Sequence, residues 1–201
     1  MSVENIKLAL EVVNTLAIVI ASIVAICGIN AWRKEFQEKR NIELAEEVLA
    51  LFYEAKDAIR AIRNPFSYQG EGKTRKPQEN ETPREKEARD RFYFVFERFE
   101  KRQEIFNKLH SKRYQFMARF GTEKSKPFED LRMIVIEIQV SANSLSRIWS
   151  SNHISEDMEK RRQEHESIIW IGGEDDPIES RVKKIISDIE AICRPIIMGK
   201  K

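Results

Sequence analysis

The chain has few of the residues from which small proteins build disulfide, metal or catalytic centres. It contains two cysteines, Cys27 and Cys193, and three histidines. Cys27 lies in an apolar run and Cys193 near the other end, so no disulfide framework is expected. The sequence holds no HExxH motif, phosphate-binding glycine loop or nucleophile elbow. We therefore predict no catalytic, metal or cofactor site, and a protein that is not an enzyme.

Glycine and proline are also scarce, and neither sign of charge dominates. Seven glycines and six prolines accompany a charged fraction of 34%, a composition typical of long exposed helices. The formal net charge of +2 argues against a protein that binds nucleic acid through bulk charge. Hydrophobic residues make up 41% of the chain, so we expect a folded core.

Long hydrophobic runs are rare too, and the chain has one. Residues 12–32 form 21 consecutive positions without a charge. As a helix rising 1.5 Å per residue, the run is about 31 Å long, close to the thickness of the hydrocarbon core of a bilayer. Trp32 stands where an interfacial aromatic belongs. We predict that residues 1–32 form a short flank and a transmembrane helix, followed by a separate domain at 33–201.

Two other interpretations of this run are less well supported. A buried core helix would need a second segment apolar enough to cover it, and the sequence has none. A cleaved signal peptide would carry its charge ahead of the run, where Lys7 stands alone. Residues 24–28 resemble a lipoprotein processing site, but Ile26 occupies the position where a small residue is expected.

Charges on the two sides of the run predict its orientation. Arg33, Lys34, Lys39 and Arg40 flank its C-terminal end, whereas Lys7 flanks the other. By the positive-inside rule, the N-terminus lies outside and the following domain in the cytoplasm. The expected location is the inner cell membrane, crossed once.

Small residues follow one face of the predicted membrane helix. They recur at spacings of three and four residues: Asn14, Ala17, Ala21, Ala25 and Gly28. Such residues let helix backbones approach closely in lipid, and a buried amide can hydrogen-bond across the contact. We predict association through this face, with a second copy or another membrane protein. The alternative is a monomeric anchor, because alanine is common in membrane helices.

Apolar periodicity continues beyond the run. Residues 33–63 lack glycine and proline, which predicts a helix continuous with the membrane span, ending at Asn64 before Pro65. Its expected inner face comprises Leu44, Val48, Leu51, Ala55, Ile59 and Ile62.

The next segment, 64–83, has no apolar periodicity and is predicted to be a mobile loop. We interpret its basic residues Lys73, Arg75 and Lys76 as solvated side chains; a ligand site is the less favoured alternative.

A second helix is predicted to begin after Thr82. Thr82 and Glu85 are spaced as in a capping box, and Pro83 suits the first turn. The helix is expected to reach Phe120, before Gly121, and to form the centre of the core because its inner face is aromatic. That face comprises Phe92, Val95, Phe96, Phe99, Phe106, Leu109, Phe116 and Phe120.

A third helix is predicted from Pro127. Its inner face comprises Phe128, Leu131, Ile134, Ile138, Leu145, Ile148 and Trp149. Residues 133–140 are β-branched and partly alternating, which would also suit a strand. We favour a helix because no partner strand is visible in the sequence.

Capping signals mark two further helices. Ser155 precedes a charged helix to about Ile169, and Asp176 and Glu179 are spaced as a capping box for the last helix, which Pro195 kinks or ends. The inner face of that helix comprises Val182, Ile185, Ile189, Ile192 and Ile196. The predicted fold is all-α: a single N-terminal transmembrane helix followed by an antiparallel bundle of about four long helices.

Two segments have the composition of a binding surface. Residues 105–122 contain no acid and alternate aromatics with four basic residues, Lys108, Lys112, Arg113 and Arg119. They could contact an anionic membrane surface, or less readily single-stranded nucleic acid. The alternative is that the basic residues complement the C-terminal end of a helix and that the aromatics belong to the core.

The acidic loop 172–176 has clustered carboxylates, but their spacing matches no calcium-binding loop.

These features favour a membrane-tethered interaction or scaffold protein without enzymatic activity, an architecture typical of small bacterial membrane proteins. Its expected partners are membrane lipid and either a second copy or another membrane protein. No small-molecule substrate is evident. The alternative is a membrane-acting effector, such as a toxin-like or defence protein, whose span oligomerises when the cytoplasmic domain is triggered; Asn14 and the alanines motivate it. An enzyme with an unrecognised site is the least favoured possibility.

Overall fold

The computed structural model describes residues 3–66, 70–151, 153–173 and 175–199. This part of the chain is helical and contains no strand, which confirms the all-α prediction. The helices are α1 (Val3–Ile62), α2 (Pro83–Glu100), α3 (Gln103–Phe120), α4 (Lys126–Ser150), α5 (Glu156–Ile169) and α6 (Pro177–Ile197), with a short 3-10 helix at Thr122–Ser125.

The chain divides into two compact units, Met1–Glu43 and Leu44–Lys201. In the first, every side chain from residue 13 to residue 40 is exposed. The second, called here the helical domain, has its own hydrophobic core. All six residues of the predicted inner face of α1 are buried in it, together with Ala45 and Phe52, because apolar residues at helical spacing form one stripe.

Helix α4 contacts α2, α3, α5 and α6, and so takes the central position that the sequence assigned to the aromatic segment. Arg84, near the start of α2, donates to the carbonyl of Trp149 at the end of α4 (3.3 Å). Phe99, near the end of α2, lines the same cavity as Leu131 near the start of α4. The two helices are therefore antiparallel, and the described packing is that of a helical bundle.

The prediction of one helix from residue 83 to Phe120 is wrong. Helix α2 ends at Glu100, Lys101 caps it, and Arg102 leaves the helical conformation (φ −120°, ψ 7°). The Arg102 amide donates three residues back, to the carbonyl of Phe99 (2.9 Å). No glycine or proline marks this break, so the sequence offers no local signal for it.

The predicted capping box of α6 is half present. The Asp176 carboxylate accepts from the amides of Ile178 (2.9 Å) and Glu179 (3.0 Å), as an N-cap does. Glu179 does not reciprocate, because its carboxylate binds Arg60 (3.1 Å). Helix α6 continues two residues beyond Pro195, to Ile197.

In the 64–83 segment, the described residues up to Thr82 form neither helix nor strand, and Pro83 begins α2. The buried Glu97 carboxylate of α2 accepts hydrogen bonds from the amides of Gly72 (2.9 Å) and Thr74 (3.1 Å). Burial opposes ionisation of Glu97, but these bonds and one from the Thr74 hydroxyl bring its pKa below the ordinary value. The motion predicted for this segment stays a prediction.

Candidate functional site

One helix near the N-terminus is long and apolar enough to cross a membrane. Its most apolar 18-residue window has a mean hydropathy of 2.1, and none of that window is buried. The exposed side chains include nine large aliphatic ones, which are Val13, Leu16, Ile18, Val19, Ile20, Ile23, Val24, Ile26 and Ile29. An exposed apolar surface of this extent on a soluble protein marks a contact with a partner or a membrane.

The small-residue face lies within this helix. Asn14, Ala17, Ala21, Ala25 and Gly28 are all exposed, and at 100° per residue they fall within a sector of about 80°. The hydroxyl of Ser22 donates to the carbonyl of Ile18 (2.8 Å), so one polar side chain of the run is satisfied within its own helix.

Aromatic and basic side chains contact each other at the C-terminal end of the run. The Trp32 ring stacks on Phe36 with centroids 5.8 Å apart, and the Arg40 guanidinium lies 5.7 Å from the Phe36 centroid. Lys34 pairs with Glu38 at 4.0 Å. Phe36 was missing from the sequence-based anchor residues, although its i+4 spacing from Trp32 places the two rings on one face. Arg33 and Lys39 are also exposed.

In the helical domain, basic residues of the predicted contact segment 105–122 form ion pairs. Lys108 pairs with Glu104 (2.8 Å), Lys112 with Glu47 (2.6 Å), and Arg113 with Glu129. Arg119 is exposed near the end of α3. These acids come from outside the segment or from its border, so the acid-free stretch is less cationic in the fold than in the sequence.

The same region contains a cavity of about 280 Å³ among the end of α2, α3 and α4. Seven apolar side chains line it, namely Phe99, Phe106, Leu109, Phe128, Leu131, Val135 and Ile136. Its polar lining comprises Asn107, His110, Arg113, Arg132 and Gln139. Beyond the helix break after Glu100, the Phe106 ring stacks on Phe99 with centroids 5.2 Å apart, and both rings line this cavity.

A second, more polar cleft of about 700 Å³ includes Arg75 and Lys76 of the 64–83 segment. Arg75 binds Glu81 (2.7 Å) and Asp90 (2.7 Å). Hydrogen bonds from Arg75, opposed by partial desolvation, lower the pKa of Glu81 to about 2. Arg75 is thus not the solvated side chain expected from sequence, but part of an internal charge network.

Two buried arginines hold the end of α1. The Arg63 guanidinium donates to the carbonyls of Ile168 (2.7 Å) and Trp170 (2.6 Å) and to Asp176 (2.9 Å). The Arg98 guanidinium donates to the carbonyls of Ile62 (3.1 Å) and Asn64 (2.5 Å). These bonds satisfy helix-end carbonyls that have no partner within their own helix, so we assign both arginines a structural role.

No cluster of three or more metal-ligating side chains occurs in the part of the chain that the structure describes. His165 lies 3.2 Å from the Ser141 hydroxyl, and His110 packs edge-on against Tyr114. In the acidic loop, the Asp176 carboxylate accepts hydrogen bonds from Arg63 and from backbone amides. Glu174 lies outside the described residues.

Comparison with known proteins identifies no relative: no family model, no curated protein and no solved structure matches the chain.

Proposed function

We propose that the protein is a membrane-tethered helical interaction protein, anchored by residues 12–32 and carrying its helical domain in the cytoplasm. The observation that carries the proposal is the exposed aliphatic surface between Val13 and Ile29. On insertion scales, each large aliphatic residue at the centre of a span contributes about 0.3–0.6 kcal/mol. Nine of them contribute at most roughly 3–5 kcal/mol, which favours insertion into the bilayer.

The flanking side chains support the same arrangement. The Trp32 and Phe36 rings suit the depth of the lipid headgroups, and the basic residues Arg33, Lys34, Lys39 and Arg40 suit the cytoplasmic side. The small-residue face is the surface through which we expect the span to associate with a second copy or another membrane helix. In this proposal the anchor concentrates the helical domain at the membrane, where it binds its partner.

Fractionation of cells tests the anchor. The full chain should sediment with membranes and resist extraction with alkaline carbonate. The double variant Ile20→Lys, Val24→Lys should move to the soluble fraction, because each central lysine costs about 2.5–3.5 kcal/mol on the same scale. The matched control is Met133→Lys, Val140→Lys, which charges two exposed apolar residues of α4 and should stay in the membrane. A soluble wild-type chain would refute the proposal.

The small-residue face with Asn14 also favours a second function, a membrane-acting effector whose span oligomerises on triggering. Controlled expression with a potential-sensitive dye distinguishes the two functions. An interaction protein leaves the membrane potential unchanged, whereas an effector that opens the membrane depolarises the cell.

A further inference from the structure

The cavity among α2, α3 and α4 has an apolar interior of definite size. Phe99, Phe106 and Phe128 contribute three aromatic rings to its lining, and ring pairs prefer stacked or edge-on contacts with other aromatics. A cavity of about 150 Å³ is known to hold benzene. At about 280 Å³, this one accommodates a body of two fused rings.

The mouth of the cavity is basic. Arg132 and His110 are exposed and line it together with Arg113, while none of the described lining residues is an acid. Glu129 pairs with Arg113 from outside the lining. Counting the two arginines and this one carboxylate, the mouth keeps one formal positive charge, which is the complement of a monoanion.

The exposed guanidinium of Arg132 is accessible to a ligand at this mouth. Arg132 makes no hydrogen bond or ion pair with another described residue. The Nε group of Arg113 is buried and has no hydrogen-bond partner, although another nitrogen of the same guanidinium binds Glu129. An anionic acceptor at the mouth would bind the exposed Arg132 guanidinium, whereas the buried Nε of Arg113 lies out of its reach.

From these observations we propose that the cavity binds a small aromatic monocarboxylate. The ring system fills the space between the phenylalanines, and the carboxylate accepts hydrogen bonds from the exposed Arg132 guanidinium at the basic mouth. The site is independent of the proposed membrane anchor, since every residue that forms it belongs to the helical domain.

Calorimetric titration tests the ligand class. The full-length chain in phosphatidylcholine nanodiscs is titrated with 2-naphthoate and with 2-naphthamide, a neutral molecule of the same shape, and empty nanodiscs supply the background. Naphthoate should bind, and naphthamide should bind at least 10-fold more weakly, since hydrogen bonds to charged groups are the stronger ones. Equal affinities, or no binding of naphthoate above background, would overturn the proposal.

Two variants locate the site. Arg132→Gln should weaken naphthoate binding about 10-fold, and Ile136→Trp, at the rim, should abolish it by filling the mouth. The matched control is Arg147→Gln, which is exposed on the same helix and absent from the lining of this cavity; its affinity should equal that of the wild type. Thermal unfolding confirms that each variant is folded. Equal losses in Arg132→Gln and Arg147→Gln would refute the assigned site.

Discussion

At the scale of single residues, the buried pair Arg63–Asp176 joins three helix ends. The two side chains are 1% and 2% exposed, and their remaining bonds go to the end of α5 and the start of α6. Their mutual attraction and these added bonds offset the cost of removing both charges from water. Removing one partner leaves the other charge buried and unpaired.

We therefore expect Asp176→Asn to lower the free energy of unfolding by about 3–5 kcal/mol. Urea denaturation of the detergent-solubilised chain, followed by tryptophan fluorescence, measures this change. The control Glu137→Gln breaks the exposed pair with Arg181, whose side chains are 35% and 46% exposed, and should cost less than about 1 kcal/mol. Similar losses in both variants would contradict the role given to Asp176.

The same carboxylate makes stability depend on pH. Burial opposes its charge, but hydrogen bonds from Arg63 and two backbone amides outweigh that effect and lower the pKa of Asp176 below its ordinary value of 3.8. Its contribution is complete above this ordinary value and is lost as the pH falls through the lower folded pKa. The acid-induced loss should accordingly be shallower in Asp176→Asn than in the wild type.

Cys193 should be chemically inert in the folded chain. It is buried in the core, and burial raises the pKa of its thiol from 9.0 to about 12. A shift of this size reduces the thiolate fraction roughly 1000-fold at neutral pH, and the thiolate is the reactive form. In a Cys27→Ala background, a maleimide should label Cys193 only after unfolding. Rapid labelling of the native chain would show that the end of α6 is open.

At the scale of elements, the exposure of apolar residues on α4 explains why its sequence also suited a strand. Ile134, Val135 and Ile138 face the core, whereas Met133, Ile136 and Val140 are 57%, 37% and 53% exposed. Apolar residues on both faces of a helix fill the gaps in the 3.6-residue pattern, so the segment reads as a β-rich run. The choice of a helix, made because no partner strand was visible, is confirmed.

The two faces of the proposed membrane span differ in a way that cross-linking can detect. In a Cys27→Ala background, Ala21→Cys places a thiol on the small-residue face, and Ile23→Cys places one about 200° away around the helix. If the span associates as proposed, oxidation with copper phenanthroline should give disulfide dimers of Ala21→Cys and few of Ile23→Cys.

Adding Ala25→Leu to Ala21→Cys should suppress these dimers, since a larger side chain separates the backbones. Equal dimer yields from both cysteine positions would contradict association through this face.

At the scale of the whole molecule, the proposed topology makes a direct prediction. In intact spheroplasts, external protease should remove a tag at the N-terminus and leave the helical domain intact. After permeabilisation the domain should be cut, with the predicted loop at 64–83 as a preferred site. Digestion of the domain in intact spheroplasts would reverse the orientation derived from Arg33, Lys34, Lys39 and Arg40.

Much of the fold followed from local chemistry. The N-caps Thr82, Ser155 and Asp176 stand where the sequence predicted them, because a cap needs only a side-chain acceptor within three residues of a free amide. The core faces of α1, α4 and α6 followed from the same kind of information, the spacing of apolar residues along one helix. The candidate membrane span was visible for the same reason.

The features that only the tertiary structure decided all depend on distant residues. The sequence by itself determined which segments are helical and which run is apolar enough for a bilayer. The break between α2 and α3, the burial of Arg63 and Arg98, and the pairing of Lys112 with Glu47 depend on side chains brought together from separate helices. The cavity mouth at Arg132 also depends on several helices. The spacing of residues along one helix does not specify which residues of another helix lie beside a given charge.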